Sequence, residues 1–318
     1  MLNIAGVGLD VKIDERWKTA LRRRLPQRLR GGRTQQNSIG EPPRGQVLRR
    51  QLDASAFSSA ERRTVDRINA IEWYHTIALP HGMVTPGLTD HRAQLASYGL
   101  PDDMHGLRAL DIATFDGFWA FEMERRGSDV VAIDLPTVYD ADIPLRVLEQ
   151  MPADDNHATG AGFRLAHELL ESNVERREMS VYDITPEAIG TFDVVFVSDL
   201  LLHLRDPQRA LERAYSVVRD DGQMIVAEPY NPSLELLPDL AVQQLIGYDR
   251  YVWSIPSATM LRQMLKVAGF GDIDEVSRLQ LNYRGTFPLE KIVFRAYPWQ
   301  RRLVGSPHRN GATPAAAR

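Results

Sequence analysis

Two aspartates, Asp111 and Asp134, stand 23 residues apart, each at the carboxyl end of a short apolar stretch. An acidic residue at the tip of the second strand of a strand–helix–strand unit can accept hydrogen bonds from both ribose hydroxyls of a nucleotide-like cofactor. Four other side chains are suited to moving protons: His203, His75, Glu228 and Tyr74. A histidine titrates near neutrality, so His203 could take a proton from a hydroxyl; its plainer role is to position a neighbour. Glu228 could act as a base or orient a substrate. The aromatic residues Trp73, Tyr74, Tyr230, Tyr248, Tyr251 and Trp253, with His75, suit the wall of an apolar or flat acceptor site. Their plainer role is packing between helices and a covering segment. The chain has no cysteine, which excludes disulfides, thiolate catalysis and Cys-ligated zinc. Its histidines are scattered, so no metal is expected.

The elements that position these residues follow from apolar periodicity and breakers. Leu107–Asp134 predicts a strand over Arg108–Ile112, a tight turn over 111–117, a helix over about 118–126 ended by Gly127, and a strand over Val130–Ile133. A loop over Pro136–Asp142 and a helix over about Gly162–Ser172 come next. A third strand is expected over Arg177–Val181. The continuous apolar run Phe192–Ser198 suits a central parallel strand buried on both faces. A helix over Pro207–Val218, a turn at Asp221-Gly222 and a strand over Gln223–Ala227 ending at Glu228 follow. Ser257–Ala268 reads as a capped helix stopped by Gly269, with strands over Ile273–Leu281 and Lys291–Ala296. Upstream, Val47 to Tyr74 should hold one or two helices, IALPHGMVTPG a small hairpin or an extended arm, and Asp90–Tyr98 a helix capped by Asp90. Strands alternating with helices predict an α/β fold: a doubly wound, mostly parallel seven-stranded Rossmann-like sheet. Ligands of such sheets bind beyond the carboxyl ends of the strands.

The expected organisation is a basic, weakly ordered arm over 1–46, a helical extension or substrate cap over 47–100, a cofactor-binding domain over 101–297 with a lid at 229–256, and a tail over 298–318. The chain is 43% hydrophobic and 25% charged, with no apolar run long enough for a membrane span and no secretory leader. A cytoplasmic location is expected. Residues 1–50 carry 12 Lys/Arg against 4 Asp/Glu, or +8; with a total of −4, the remainder is −12. An acidic body disfavours nucleic acid as a partner, and only the arm, with Arg22, Arg23, Arg24, Arg28 and Arg30, would bind it. A small-molecule acceptor is the expected partner. Homo-oligomerisation is left open.

Four motifs in order carry a resemblance. The turn Asp111-Ile-Ala113-Thr114-Phe115-Asp116-Gly117 stands where class I S-adenosylmethionine-dependent methyltransferases carry Asp-x-Gly-x-Gly-x-Gly. Asp134 matches their acidic second motif and Asp183 their third. Phe192–Val195 matches their FDVV, and Leu201–Pro207 matches LxHLxDP. The resemblance covers about residues 100–297 and implies S-adenosylmethionine as cofactor. It implies that Asp111, Ala113, Thr114, Phe115 and Gly117 pass beneath the methionine part, that Asp134 and Leu135 meet the ribose, that Asp183 lies near the adenine amine with Tyr182 or Ile184 beside the ring, and that Ser198 borders the site. Phe115 replaces a glycine, so its ring either lies across the cofactor or packs in the core. WYH, TPG, FDGFWAFEMERRG and LLHLRDP most resemble the subgroup related to tRNA wobble-uridine carboxymethyltransferases, which also contains many small-molecule enzymes. Those tRNA enzymes read LYHRRSP where this chain has Leu202 and Leu204, which removes polar partners for a carboxylated cofactor.

The expected function is methyl transfer to an oxygen or activated carbon of a small, largely apolar metabolite, aromatic or isoprenoid-like, in specialised metabolism. The alternatives are tRNA wobble-uridine modification and an inactive cofactor-binding scaffold.

Overall fold

The computed structural model describes residues 2–4, 7–9, 51–151, 158–247, 251–283 and 287–299. The basic arm beyond its first residues, Tyr248 and most of the tail lie outside that set. Residues 1–48 and 49–318 form two compact units. In the first, β1 (Leu2–Ile4) pairs antiparallel with β2 (Val7–Leu9). Everything below concerns the second.

The second unit is built on a seven-stranded sheet of β3 (Arg108–Ile112), β4 (Asp129–Asp134), β5 (Glu175–Glu178), β6 (Phe192–Ser198), β7 (Val218–Pro229), β10 (Phe270–Tyr283) and β11 (Phe287–Pro298). The spatial order is β10-β11-β7-β6-β3-β4-β5. Strands β5, β4, β3, β6 and β7 run parallel, while β11 is antiparallel to both β7 and β10. This is the expected α/β sheet. From β3 the chain winds outward to β4 and β5, then returns to β6 on the other side of β3. The gap between β3 and β6 is therefore the switch point where such sheets open a ligand crevice.

Central β6 shows why the strands form. Val194, Val195, Phe196 and Val197 are all at most 1% exposed, because helices cover both faces. Burying each such side chain stabilises by about 1.5–3 kcal/mol. One layer faces α6 (Pro207–Tyr215) and α7 (Ala258–Ala268), whose Leu211, Leu261 and Leu265 are buried with β6 and β7 residues. The opposite layer holds α2 (Phe118–Arg125), α4 (Ala161–Leu170) and α1 (Arg62–Asn69) with Trp119, Phe163 and Val65. LLHLRDP ends as a helix start: Asp206 accepts the Arg209 N–H at 3.0 Å and Pro207 occupies the first turn. Ser257 caps α7, accepting the Met260 N–H at 3.0 Å, and Gly269 ends it.

Several boundaries differ from expectation. The third strand is Glu175–Glu178 rather than 177–181, since this sheet edge carries the charged sequence ERRE, which edge strands tolerate. Val181–Asp183 forms a 3-10 turn instead. Asp221-Gly222 is no turn but part of the long β7, with a register irregularity against β6. Asp90 does not cap an α-helix; Arg92–Tyr98 is 3-10, and the Asp90 carboxylate accepts from Arg92. IALPHGMVTPG is a hairpin, with Leu79 N–H donating to Met83 C=O at 2.8 Å. The segment 229–256 is more ordered than a bare lid, containing a 3-10 turn Pro232–Leu236 and the hairpin β8 (Gln243–Leu245) to β9 (Ser254–Pro256). Among the described residues no helix is long and apolar enough to cross a membrane.

Candidate functional site

At the carboxyl ends of β3, β4 and β6 lies a cleft with about 590 Å³ of empty space, part of it open solvent. Ile112 and Ala113 line it from β3, Asp134 and Leu135 from β4, Met179 to Tyr182 from beyond β5, and Leu200, His203 and Leu204 from beyond β6. Asp140 to Asp142 border it from the loop after β4.

Asp134 closes the loop that cradles the cleft. Its Oδ2 accepts the Phe115 N–H and its Oδ1 the Leu135 N–H, both at 2.8 Å. Each oxygen keeps a lone pair for a ligand donor. Burial pushes its pKa up, while the two backbone N–H groups and Arg176 pull the other way. The backbone follows a left-handed path at both positions where glycines were expected: Ala113 has φ 62° and Phe115 φ 49°. A non-glycine residue pays steric strain there. Gly117 remains glycine at φ 90°, where a Cβ would overlap the Phe121 and Phe163 rings. Phe115 is 45% exposed. The core-packing alternative is thus excluded; its ring meets Tyr74 edge-on at 5.7 Å between centroids.

His203 lies in the cleft, on the 3-10 turn Leu201–His203. Its Nδ1 is 2.6 Å from the Tyr251 carbonyl oxygen. A carbonyl only accepts, so Nδ1 carries the proton and Nε2 is left as the basic nitrogen. His203 is exposed at the cleft mouth; the protein packed around its ring still desolvates the imidazole and lowers its pKa, partly opposed by the Tyr251 carbonyl and by Asp199. The 229–256 segment is fastened at the same edge. Trp253 N–H donates to Leu202 C=O at 2.7 Å, its indole Nε1–H donates to Asp142 C=O at 2.5 Å, and its ring lies under Arg205 at 5.0 Å. Asp142 Oδ2 accepts from Tyr182 Oη at 2.6 Å and from the Arg205 N–H at 2.8 Å.

Other expected site residues are placed elsewhere. Asp183 is exposed and does not line the cleft, because the 3-10 turn carries it past the rim. Asp111 is 2% exposed beneath the loop; burial, chiefly, raises its pKa to about 7. Thr114, 1% exposed, is also buried, and its N–H donates to Ile133 C=O at 3.0 Å. Trp73 is core rather than wall: 2% exposed, with its indole N–H donating to Ile68 C=O at 2.9 Å. Tyr230, 6% exposed, belongs to the core on the α6–α7 side. His75 is buried, stacked on Phe118 at 5.7 Å, and desolvation lowers its pKa to about 3; it is neutral at physiological pH. Glu228 is 1% exposed, and its Oε1 accepts the Leu200 and Leu201 N–H groups at 2.9 and 3.1 Å. Burial, chiefly, raises its pKa to about 8, so at neutral pH it is largely protonated and ill-suited as a base. Ser198 hydrogen-bonds Asp199 and Lys291 without lining the cleft. Tyr251, 46% exposed, contributes its backbone carbonyl.

The structure adds residues not singled out above. Asp116 Oδ2 accepts the Tyr74 and His75 N–H groups at 2.6 and 3.0 Å, joining the N-terminal extension to the loop 111–117. Asp142, Asp199 and Lys291 are the others. None has a local pattern that marks it; apart from the Ser198–Asp199 bond, the partners named here lie 40 to 111 residues away in sequence. Among the described residues no His/Asp/Glu group could hold a metal ion.

A family model described as "Methyltransferase domain" matches residues 83–275. Among curated proteins, the chain is 23% identical over 123 residues to the mitochondrial ubiquinone biosynthesis O-methyltransferase of Bos taurus, covering 39% of this chain and 29% of that one. It is 23% identical over 154 residues to the ubiquinone biosynthesis O-methyltransferase of Acinetobacter baumannii (strain AYE), covering 48% of this chain and 55% of that one. The chain thus spans about half the length of the bacterial relative and less of the bovine one. Among solved structures, the N-terminal domain of EvdMO1 with SAH bound matches with a TM-score of 0.48 at 17% identity, covering 80% of this chain and all of that one. A Burkholderia thailandensis 1,6-didemethyltoxoflavin-N1-methyltransferase matches with a TM-score of 0.42 at 16% identity, covering 61% and 72%.

Proposed function

The chain belongs to the methyltransferase-domain family, and from that premise we propose that it methylates a hydroxyl oxygen of a small, largely apolar acceptor, with His203 as the base. S-adenosylmethionine is the cofactor, and when bound it supplies a methyl group already activated on a sulfonium. The residues present fit such a ligand. Asp134 keeps free lone pairs at the end of β4, and Ile112, Ile133, Leu135, Val181 and Leu200 give the cleft apolar walls for a flat base. Ala113 brings the loop 111–117 to the cleft beside them, while the Asp142–Tyr182 and Asp142–Trp253 bonds tie down one rim.

The observation that carries the reading is His203: in the cleft, with Nδ1–H fixed by the Tyr251 carbonyl, its basic Nε2 is the nitrogen left to receive a proton. A lowered pKa keeps that nitrogen unprotonated near neutrality. The relatives named as O-methyltransferases support oxygen as the methylated atom. Carboxymethyl transfer is not carried over, because Leu202 and Leu204 are buried and offer no polar group. The test is transfer of labelled methyl from S-adenosylmethionine into an extract of the source cells. We expect label in small molecules as base-stable ethers, and His203→Asn to lower transfer about 10²–10⁴-fold with S-adenosylhomocysteine binding unchanged. Label in RNA, or full activity in the variant, would overturn the proposal.

A further inference from the structure

His203 sits on an exposed turn, yet hydrogen bonds from distant segments hold that turn on both sides. Just before it, Leu202 C=O accepts the Trp253 N–H at 2.7 Å. Two residues after it, the Arg205 N–H donates to the Asp142 carboxylate at 2.8 Å. The imidazole itself donates from Nδ1 to the Tyr251 carbonyl oxygen, 2.6 Å away. Asp142 and Trp253 are in turn joined to each other, indole Nε1–H to backbone C=O at 2.5 Å, across 111 residues of sequence. Two residues that are bonded together thus grip the chain on either side of His203.

Both members of the pair are themselves fixed. The Trp253 C=O accepts the Ile246 and Gly247 N–H groups at 2.8 and 3.1 Å, so every polar group of Trp253 is engaged. Gly247 leaves space for the ring, since a Cβ there would stand 3.2 Å from it, and Arg205 covers the ring at 5.0 Å. The Asp142 carboxylate also accepts from Tyr182 Oη at 2.6 Å, and Tyr182 Oη accepts the Asp206 N–H at 3.1 Å. Asp142 and Tyr182 line the cleft from beyond β4 and β5, and His203 lines it from beyond β6. The bonded set therefore spans the cleft and ends at the imidazole.

The Tyr251 carbonyl is the point that needs support. Tyr251 is exposed and lies two positions before the anchored indole. Without that anchor the carbonyl would be free to turn away. The bond that keeps the proton on Nδ1 and leaves Nε2 bare would go with it.

We propose that Trp253 and Asp142 are positioning residues for His203: the indole holds the Tyr251 carbonyl that selects the imidazole tautomer, and the Asp142 carboxylate holds the turn behind it. This rests on the reading of His203 as the base, and it moves Trp253 from the acceptor wall to the support of that base.

The test combines nitrogen NMR of the full chain, at a pH where the ring is neutral, with transfer of labelled methyl into the source-cell extract. His203→Asn identifies the His203 signals by their loss. In the native chain we expect the proton on Nδ1 and a bare Nε2. Trp253→Phe keeps a ring beneath Arg205 and removes the indole N–H. In this variant the proton should move in part from Nδ1 to Nε2, and transfer should fall about 10²-fold, as for a misplaced catalytic group, while S-adenosylhomocysteine affinity holds. Asp142→Ala releases Arg205 and Tyr182 and should shift both readouts the same way. Asp142→Asn keeps an oxygen that accepts from both and should restore them. The proposal is overturned if native His203 carries its proton on Nε2, if folded Trp253→Phe leaves the proton on Nδ1, if Asp142→Ala changes neither readout, or if Asp142→Asn falls as far as Asp142→Ala. Should Trp253→Phe fail to fold, the native tautomer and the two Asp142 variants decide. A tautomer that shifts with no loss of transfer would leave the positioning intact and instead sink His203 as the base. If the native chain transfers no methyl, the methyltransferase reading falls, and the nitrogen spectra, which need no turnover, still decide the positioning.

Discussion

Glu228→Gln should stabilise the protein at neutral pH, although it alters a buried, hydrogen-bonded side chain. The carboxyl is 1% exposed and its pKa rises from 4.5 to about 8, mainly through desolvation and then through the neighbouring Asp199 charge. In the unfolded chain the same group ionises near 4.5. Below that pH both states hold the proton and the group costs nothing. As pH rises through 4.5 the unfolded state loses its proton and is favoured, and stability falls until the folded group also ionises at about 8. Each pH unit is worth about 1.36 kcal/mol, so at about pH 7 the accumulated loss is roughly 3 kcal/mol. Glutamine keeps an oxygen to accept the Leu200 and Leu201 N–H groups that Oε1 holds now, and it cannot ionise. Urea unfolding of both proteins from about pH 4.5 to 8 measures the difference. The variant's advantage should be near zero at the acid end and approach roughly 3 kcal/mol at neutrality. A difference that is flat with pH, or that shrinks as pH rises, would refute the reasoning and return Glu228 to the role of an ionised base.

Asp134→Ala should weaken S-adenosylhomocysteine binding roughly 100-fold, because the variant loses both ligand-facing lone pairs and the acceptor that fixes the loop at Phe115; calorimetry reads this directly, and an unchanged affinity would remove Asp134 from the site. His75 should stay neutral in nitrogen NMR spectra down to about pH 4, since its pKa is lowered to about 3. The unfolded histidine protonates near 6.5, so His75 supplies stability above that pH which is lost as pH falls toward 3. Asp116→Ala should cost about 1–3 kcal/mol by orphaning the Tyr74 and His75 N–H groups, and it should increase protease cleavage in the 70–90 hairpin before the sheet unfolds. If the hairpin is cut no faster than in the native chain, Asp116 is not what fastens the extension.

How much of this was legible in the sequence depended on whether the cause was local. Asp134 was, because strand alternation and a breaker place it at a strand tip and nothing distant is needed. Asp206-Pro207 was, because a cap and a first-turn proline act within four residues. Asp183 was placed by the resemblance to the family's third motif, and that match assumed that the third strand ran to Val181. The strand stops at Glu178, the chain turns, and a side chain meant for the cleft ends in solvent. Trp73 and Tyr230 illustrate the opposite error: an aromatic residue near a site looks the same in sequence whether it faces a ligand or a core, and only burial separates the two. Lys291 was invisible for a further reason. One lysine among valines and phenylalanines in a late strand reads as a solvent-facing position, and the carboxylate that holds it lies 92 residues earlier.

The turn 111–117 joins these points. Its glycine spacing, taken alone, is broken at 113 and 115, yet the backbone at both positions still adopts the left-handed conformation that glycine would favour. Each such residue costs about 1–2 kcal/mol. A loop that had merely drifted would relax into ordinary conformations, and here two hydrogen bonds prevent it: Phe115 N–H to Asp134, and Thr114 N–H to Ile133 C=O. The path is therefore imposed by β4 rather than by the loop's own residues. With the path fixed, a bulky residue at 115 has its side chain directed away from the core, which is why the ring reaches Tyr74. Phe115→Gly should relieve strain and raise stability slightly, by no more than about 1 kcal/mol after the added unfolded-state entropy of glycine, while removing the exposed ring that meets Tyr74. Higher stability together with lost acceptor binding would mean the strain is kept for the ring; a variant that binds acceptor unchanged would mean the ring is incidental to a loop that β4 alone holds in place.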